Sequence, residues 1–341
     1  MVSVSEHVVL DTSDEDDAAR IEHLLGTEAV LDSTDGQLAS LRELMPTPPD
    51  DLLSEPTRWV HYPWRRSMVR VLGPRGFRRL RLDRNRNKIT LDEQNAAVGI
   101  RIGVVGLSVG HAVAHTLALE GLCGELRLAD FDELDLSNLN RVPATVFDLD
   151  VNKSVLAARR IAELDPYLAV GTFERGVDES TLDAFLDGLD IVVEECDSID
   201  AKMQVREHCR RRGIPVIMET SDGGVLDIER FDLEPDRPFF HGLLGDVDAA
   251  SVAGMSPREK APLAGRILGM DSITARMAAS LPDIGTSLST WPQLGSDVAL
   301  GGASVAAVVR LFGRGTPPPS GRVRVGLETI IERDLLDPLA G

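Results

Sequence analysis

Short apolar runs alternate with amphipathic segments along the chain from about residue 89 onward. Such runs, ended by Gly, Asp or Pro, are typical of buried strands. The predicted strands cover residues 100–105, 125–129, 168–173, 191–195 and 216–218. Between them, apolar positions three or four apart indicate helices at 112–120, 153–164 and 201–212. Strands that alternate with helices predict an α/β fold with a doubly wound, mostly parallel, Rossmann-like sheet.

The last third of the chain departs from this alternation. Residues 225–231 predict an antiparallel addition to the sheet, and 296–311 and 322–327 predict a closing helix and strand. Between these elements, 242–295 is rich in Gly, Pro, Met and Ser, so we expect an irregular segment that acts as a mobile active-site loop or docks a partner.

Nothing in the hydropathy pattern requires a membrane. The most apolar helical run, 298–312, is short for a bilayer and contains Arg310. We therefore expect no membrane segment and a cytoplasmic location.

Charge divides the N-terminal part of the chain, which we treat as an extension (1–88) before a main domain (89–341). Residues 1–56 contain fourteen Asp and Glu against two Arg, whereas 57–88 contain eleven Arg and Lys against one Asp. We expect weak helices at 18–25 and 37–44. The two pieces pack together, or the basic piece packs against the acidic body of the protein; alternatively, the basic piece forms a patch for an anionic ligand or RNA. A formal net charge of -19 favours packing and makes nucleic acid an unfavourable partner.

The three cysteines, Cys123, Cys196 and Cys209, form no Cys-x-x-Cys pair. This spacing indicates neither a disulfide framework nor a zinc knuckle. Cys196 is a candidate reactive thiol, although a partly buried side chain is the simpler interpretation.

The most informative stretch begins where the strand 125–129 ends. Asp130 lies at the tip of that strand, where an acid in a βαβ unit binds the ribose of a nucleotide. It is followed by Ser137-Asn-Leu-Asn-Arg141, which brings an amide and a guanidinium close to the phosphates. Hydride transfer needs no such group, whereas phosphoryl or nucleotidyl transfer does.

This stretch resembles the ThiF/MoeB family, the ATP-dependent activators related to ubiquitin-activating enzymes. The family signature is Asp-x-Asp-x-x-x-x-Ser-Asn-Leu-x-Arg, and Asp130 to Arg141 match it at every fixed position. The resemblance implies that a carboxylate attacks the α-phosphate of ATP, with Mg²⁺ as cofactor, to give an acyl-adenylate and pyrophosphate.

The resemblance also places the phosphates at the turn Gly106-Leu-Ser-Val-Gly-His111. Gly106 and Gly110 let backbone N–H groups approach a phosphate. The family pattern is Gly-x-Gly-Gly-x-Gly, and Ser108, Val109 and His111 depart from it. Ser108 offers a hydroxyl in place of the close backbone approach.

Four further residues receive roles from the resemblance. Asn138 and Arg141 face the phosphates, and Lys153, at the start of a helix, reaches the triphosphate. Asp197 coordinates Mg²⁺; the alternative is a helix N-cap. The role of Asp132 stays open.

The resemblance further implies a homodimer, in which an arginine from upstream of the core reaches the neighbouring subunit's site. Arg86 and its neighbour Arg84 are the candidates for this role.

No cysteine follows residue 213, so we expect no enzyme-bound thioester. The acyl group then passes directly from the adenylate of a small molecule, peptide or carrier protein to its acceptor. The segments 219–224 and 239–245 resemble a subgroup joined to a nitroreductase, which implies a flavin-containing partner. Two alternatives remain: a non-catalytic nucleotide-binding protein and an NAD-dependent oxidoreductase.

Overall fold

The computed structural model describes residues 3–4, 7–222, 224–245, 247–269 and 273–334. Its strands are β1 (Ser3–Val4), β2 (Val8–Leu10), β3 (Ala29–Asp32), β4 (Arg58–Tyr62), β5 (Ser67–Val71), β6 (Arg101–Val105), β7 (Glu125–Ala129), β8 (Ala169–Phe173), β9 (Ile191–Glu194), β10 (Val216–Thr220), β11 (Val225–Glu229) and β12 (Gly321–Arg324).

Its α-helices are α1 (Glu15–Leu25), α2 (Thr34–Arg42), α3 (Asp50–Leu53), α4 (Pro74–Arg81), α5 (Leu91–Ala97), α6 (Gly110–Glu120), α7 (Lys153–Leu164), α8 (Leu182–Leu186), α9 (Ile199–Arg212), α10 (Ala249–Ala253), α11 (Pro257–Leu268), α12 (Ala275–Ser280), α13 (Gly295–Gly313) and α14 (Leu327–Asp334).

The main sheet has the order β1-β8-β7-β6-β9-β10-β11-β12. Its centre, from β8 to β10, is parallel. The predicted α/β, Rossmann-like fold is therefore confirmed. The expected antiparallel addition is also present, because β11 pairs with β10 in antiparallel orientation. The strand order reverses between β6 and β9, which creates a crevice at the carboxyl ends of these strands, where α/β sheets bind ligands.

Alternating side chains on the central strands divide the core into two layers. Ile102 and Val104 of β6 pack on one face with α6, α7 and α13, whereas Val105 packs on the other face with α8 and α9. Gly103 faces this second layer, where a Cβ atom would lie 2.5 Å from the side chain of Leu189. The sheet is thus covered on both sides, as a doubly wound fold requires.

Helix α13 contains the apolar run 298–312, and the expectation that this run is too short for a bilayer was wrong. It spans 19 residues and is the one helix in the described part of the chain that is long and apolar enough to cross a membrane by length and composition. Gly302 brings it against α6, since a Cβ atom there would lie 2.9 Å from the carbonyl oxygen of Ala112. Val305 and Val309 join the main core. We interpret α13 as a core helix.

The segment 242–295 is not irregular throughout, so this expectation was wrong. It forms α10, α11 and α12, while residues 246 and 270–272 lie outside the described residues. Val252, Leu263 and Ile267 pack with Met203 of α9. Their spacing is interrupted by Gly and Pro, which conceals the helical period in the sequence.

A second sheet, of order β2-β4-β5-β3, forms from the N-terminal extension and was not predicted. Ion pairs connect its acidic and basic pieces, including Arg58–Asp11 at 2.7 Å and Arg70–Asp32 at 3.3 Å. The two pieces therefore pack together, as the net charge favoured. The extension also contacts the main domain, because the hydroxyl of Tyr62 donates to the carbonyl oxygen of Ala162 in α7.

Candidate nucleotide site

The glycine turn after β6 forms one wall of the crevice. Gly106 adopts φ +86°, and a Cβ atom there would lie 2.7 Å from the carbonyl oxygen of Glu195. At Gly110, the first residue of α6, a Cβ atom would lie 2.6 Å from Val104. Both predicted glycines are therefore required by the fold. The turn leads directly into the N-terminus of α6, whose first N–H groups have no partner within the helix and suit an anion.

Asp130 lies at the tip of β7 beside this turn, as predicted. One carboxylate oxygen accepts from the N–H of Leu107 at 2.6 Å, and the other accepts from the N–H of Asp132 at 2.8 Å. Burial raises the pKa of Asp130, and these two hydrogen bonds oppose that effect. Each oxygen keeps a lone pair beyond these bonds. The carboxylate is thus placed to accept from hydroxyl groups such as those of a ribose.

Arg141 brings the signature segment, residues 130–141, to the glycine turn. Its guanidinium donates to the hydroxyl of Ser108 at 3.5 Å and to the side-chain oxygen of Asn140 at 2.9 Å. Its Nε is buried and has no partner among the described residues. Burial lowers the pKa of Arg141, while the carboxylate of Asp197 raises it. The guanidinium therefore lies beside the glycine turn and within electrostatic reach of Asp197.

Lys153 begins α7 and is 5% exposed. Its Nζ donates to Asp132 at 3.0 Å, which assigns that acid a role that the sequence left open. A cation at a helix N-terminus is unfavourable, and Asp132 offsets this. Lys153 is therefore buried with its charge balanced by Asp132.

Asp197 lies just beyond β9 and is exposed. The N-cap of α9 is Ser198, whose hydroxyl accepts from the N–H of Ala201, so Asp197 does not have the alternative role of a cap. No group of three or more metal-binding side chains occurs among the described residues. One exposed carboxylate nevertheless fits Mg²⁺ carried by a nucleotide, because phosphates and water supply the other ligands.

Two predicted site residues have local partners instead. The side-chain oxygen of Asn138 accepts from the N–H of Asp135 at 3.1 Å and caps the turn Leu136–Asn140. Arg86 pairs with Asp83 at 2.8 Å, and no contact joins it to the other predicted site residues within the described ranges. Its role in a neighbouring subunit stays a prediction.

A buried ionic network behind Asp197 was not predicted. Glu194 accepts from Lys202 at 3.0 Å, from Arg206 at 2.7 Å and from the N–H of Cys196 at 2.6 Å. Arg206 also pairs with Glu229 at 2.5 Å. Burial favours the neutral form of Glu194, yet Lys202 and Arg206 outweigh it and lower the pKa of this carboxyl. The network fixes the end of β9, from which Asp197 projects. Lys202 and Arg206 are four apart on α9, a spacing that could have indicated a shared face.

A pair of buried carboxyls also lies behind the turn. Glu195 accepts from the backbone N–H of Glu219 at 3.1 Å, and Oε2 of Glu219 has no partner in the described part of the chain. Burial raises the pKa of both carboxyls, and Glu195 raises that of Glu219 further. Gly301 of α13 leaves room for Glu219, since a Cβ atom would lie 2.4 Å from its carboxylate.

His111 is fully buried, and neither ring nitrogen has a partner among the described residues. Burial lowers its pKa to about 3, with smaller contributions from His115 and Arg160. His111 therefore fills the interior, whereas Ser108 contacts Arg141. Burial also raises the pKa of Cys196, so this thiol is a poor nucleophile.

The sequence model of the ThiF family matches residues 82–280, which is more than half of the chain. The chain belongs to the ThiF family. It is 52% identical over 328 residues to an uncharacterized protein of Mycobacterium tuberculosis (strain CDC 1551 / Oshkosh), covering 96% of this chain and 46% of that protein. It is 31% identical over 157 residues to the tRNA threonylcarbamoyladenosine dehydratase of Bacillus subtilis (strain 168), covering 44% of this chain and 60% of that enzyme.

The molybdopterin-synthase adenylyltransferase of Haemophilus influenzae is 27% identical over 158 residues, covering 46% of this chain and 64% of that enzyme. Among solved structures, the Escherichia coli tRNA N6-threonylcarbamoyladenosine dehydratase in complex with ATP has a TM-score of 0.50 and 18% identity, over 70% of this chain and 95% of that one. The chain thus spans about half to two thirds of the length of these curated relatives, and the structural match shows the fold.

The burial of His111 predicts an acid-sensitive fold. An unfolded imidazole binds a proton near pH 6.5, whereas the folded one stays neutral down to about pH 3. The unfolded state binds more protons between these values, so stability falls as the pH falls through this window. Between pH 7.5 and 5.5, the free energy of unfolding of the wild-type chain should fall by about 1 kcal/mol more than that of His111→Gln.

Denaturant unfolding at the two pH values measures this difference. His23→Gln, at an exposed position of α1, is the matched control. An identical pH dependence for His111→Gln and the wild-type chain would contradict the burial of a neutral imidazole.

Proposed function

We propose that this chain adenylates a carboxylate with Mg·ATP and releases pyrophosphate. The observation that carries the proposal is the arrangement of Asp130 and Arg141 on the glycine turn of a ThiF-family sheet, where they contact Leu107 and Ser108. The names of the relatives support it, since they include adenylyltransferases for molybdopterin synthase and for a sulfur carrier protein. The ATP complex of the dehydratase supports the choice of nucleotide.

In this mechanism Asp130 accepts hydrogen bonds from the ribose, and the turn between Gly106 and Gly110 binds the phosphates. An oxygen of the substrate carboxylate attacks the α-phosphorus. The bond from this phosphorus to the bridging oxygen breaks, and pyrophosphate leaves with the electron pair. Arg141 and Lys153 neutralise the negative charge that develops. Asp197 would hold Mg²⁺, which supplies further positive charge to the phosphates.

The acyl group would pass directly from the adenylate to its acceptor. Cys196 is the cysteine nearest to the site, and burial raises the pKa of its thiol, which disfavours a thioester. The relatives' names cover carrier proteins and, in a solved structure, the protein MccB with MccA. Small molecules, peptides and carrier proteins therefore remain the substrate classes of the proposal.

A nitroreductase partner stays part of the proposal. More than half of the Mycobacterium tuberculosis relative lies outside the match, which leaves room for a further domain. The segments 219–224 and 239–245 suggested this subgroup; residue 223 lies outside the described residues. Co-purification of the chain with a protein that shows flavin absorbance tests the partner, and repeated isolation without flavin would count against it.

The experiment that tests the proposed reaction is pyrophosphate release from Mg·ATP with separate pools of organic acids, peptides and carrier proteins. Release that depends on one pool identifies the substrate class. ATP binding without release from any pool would favour the second candidate, a non-catalytic nucleotide-binding protein. Ser108, Val109 and His111 favour that candidate, because they replace three glycines of the family turn.

Asp197→Ala is expected to lower pyrophosphate release at least about 100-fold, because Mg²⁺ on the phosphates would lose its protein ligand. The thermal midpoint should stay near that of the wild-type chain, since Asp197 is exposed. Asp92→Ala, at an exposed position of α5, is the control. Release at the wild-type rate by Asp197→Ala would exclude the metal role.

We propose a homodimer in which Arg86 acts in the neighbouring site. Apolar side chains around the signature segment support a protein interface, because each exposes more than 60% of its surface. They are Phe131, Leu136, Val146 and Phe147.

Light scattering of the purified chain should give twice the chain mass of 37.0 kDa. Phe147→Asp should shift the mass toward the monomer, while Leu233→Asp, at another exposed apolar position, should not. Mixing Arg86→Ala with Asp197→Ala should restore part of the activity, because one site of the mixed dimer is intact. A monomeric wild-type chain would contradict the interface.

A further inference from the structure

Asn140 occupies the variable position of the Ser-Asn-Leu-x-Arg segment and contacts two different parts of the site. Its side-chain oxygen accepts a hydrogen bond from Nη1 of Arg141 at 2.9 Å. Its side-chain nitrogen donates to the carbonyl oxygen of Gln293 at 2.8 Å. Both halves of the amide are therefore used, although the side chain is exposed.

These contacts belong to a longer chain of hydrogen bonds. Arg141 donates to Ser108 at 3.5 Å, and the side-chain nitrogen of Gln293 donates to the hydroxyl of Ser221 at 3.0 Å. Four segments meet here: the glycine turn, the signature segment, the residues before α13 and the loop after β10. Gly295 permits the approach, because a Cβ atom there would lie 2.7 Å from the carbonyl oxygen of Asn140.

The hydrogen bonds of Arg141 explain why Asn140 matters for its orientation. Nη1 donates to the side-chain oxygen of Asn140 and, at 3.3 Å, to the carbonyl oxygen of Ser137, while Nη2 donates to the hydroxyl of Ser108. Nε remains without a partner in the described residues. A guanidinium is a rigid, planar group, so hydrogen bonds that fix Nη1 and Nη2 also fix the direction of Nε. Of the two hydrogen bonds that Nη1 donates, the one to Asn140 is shorter than the one to Ser137.

We propose that Asn140 is a positioning residue that orients the guanidinium of Arg141 for the nucleotide phosphates. Anchoring of its amide to Gln293 holds Asn140 in place, so the segment before α13 supports the arginine from behind. This inference rests on the proposed function, and it assigns a role to a position that the family signature leaves variable. Small displacements of such supporting groups weaken a preorganised site.

The test is a double-mutant cycle on Mg·ATP binding, measured by calorimetric titration. Asn140→Ala should weaken binding about tenfold, because a hydrogen bond to a charged group is lost. In an Arg141→Lys background, which keeps the charge but lacks the planar fork, Asn140→Ala should change the affinity less than about twofold. The thermal midpoint should be unchanged in each case. Asn95→Ala, at an exposed position of α5, is the matched control.

Equal losses in both backgrounds would mean that Asn140 acts independently of Arg141, and would overturn the inference. An unchanged affinity in Asn140→Ala, with binding by the wild-type chain, would overturn it while leaving the proposed function intact. Absence of Mg·ATP binding by the wild-type chain would instead remove the proposed function, and this inference with it.

Discussion

The carboxylate of Asp130 connects the strand ends from which the candidate site is built. Its two oxygens accept from the N–H groups of Leu107 and Asp132, so one side chain ties the glycine turn after β6 to the loop after β7. Burying this group is unfavourable, as its raised pKa shows, and the two hydrogen bonds offset part of the cost. Asp132, held in this way, in turn pairs with Lys153. The positions of the turn and of the lysine thus depend on Asp130.

Positive and negative side chains alternate in the candidate site. Lys153 pairs with Asp132, and Arg141 lies within electrostatic reach of Asp197. The buried Glu194 is matched by Lys202 and Arg206, which balances the interior behind Asp197. Such burial is costly unless each charge is paired and hydrogen-bonded. The interior behind Asp197 is therefore a support in which these charges are paired.

The sequence predicts much of this arrangement where the signal is local. Alternating strands and helices indicate the sheet, and the signature segment indicates Asp130 and Arg141, which contact the turn at Leu107 and Ser108. Long-range contacts could not be predicted in this way. The pairing of β3 with β5 joins residues far apart in an extension without a regular period. The contacts of Asn140 with Gln293, and of Glu195 with Glu219, join residues that are far apart in the sequence and depend on the packing of α13 and β10 in the fold.

We propose that this crevice binds ATP and not a dinucleotide. Calorimetric titration of the wild-type chain and of Asp130→Ala with Mg·ATP, and in parallel with NAD⁺, distinguishes the two ligands. We expect micromolar ATP binding by the wild-type chain, at least about tenfold weaker binding by Asp130→Ala, and no heat from NAD⁺. Saturable binding of NAD⁺ that Asp130→Ala abolishes, with no response to ATP, would contradict it and favour an oxidoreductase.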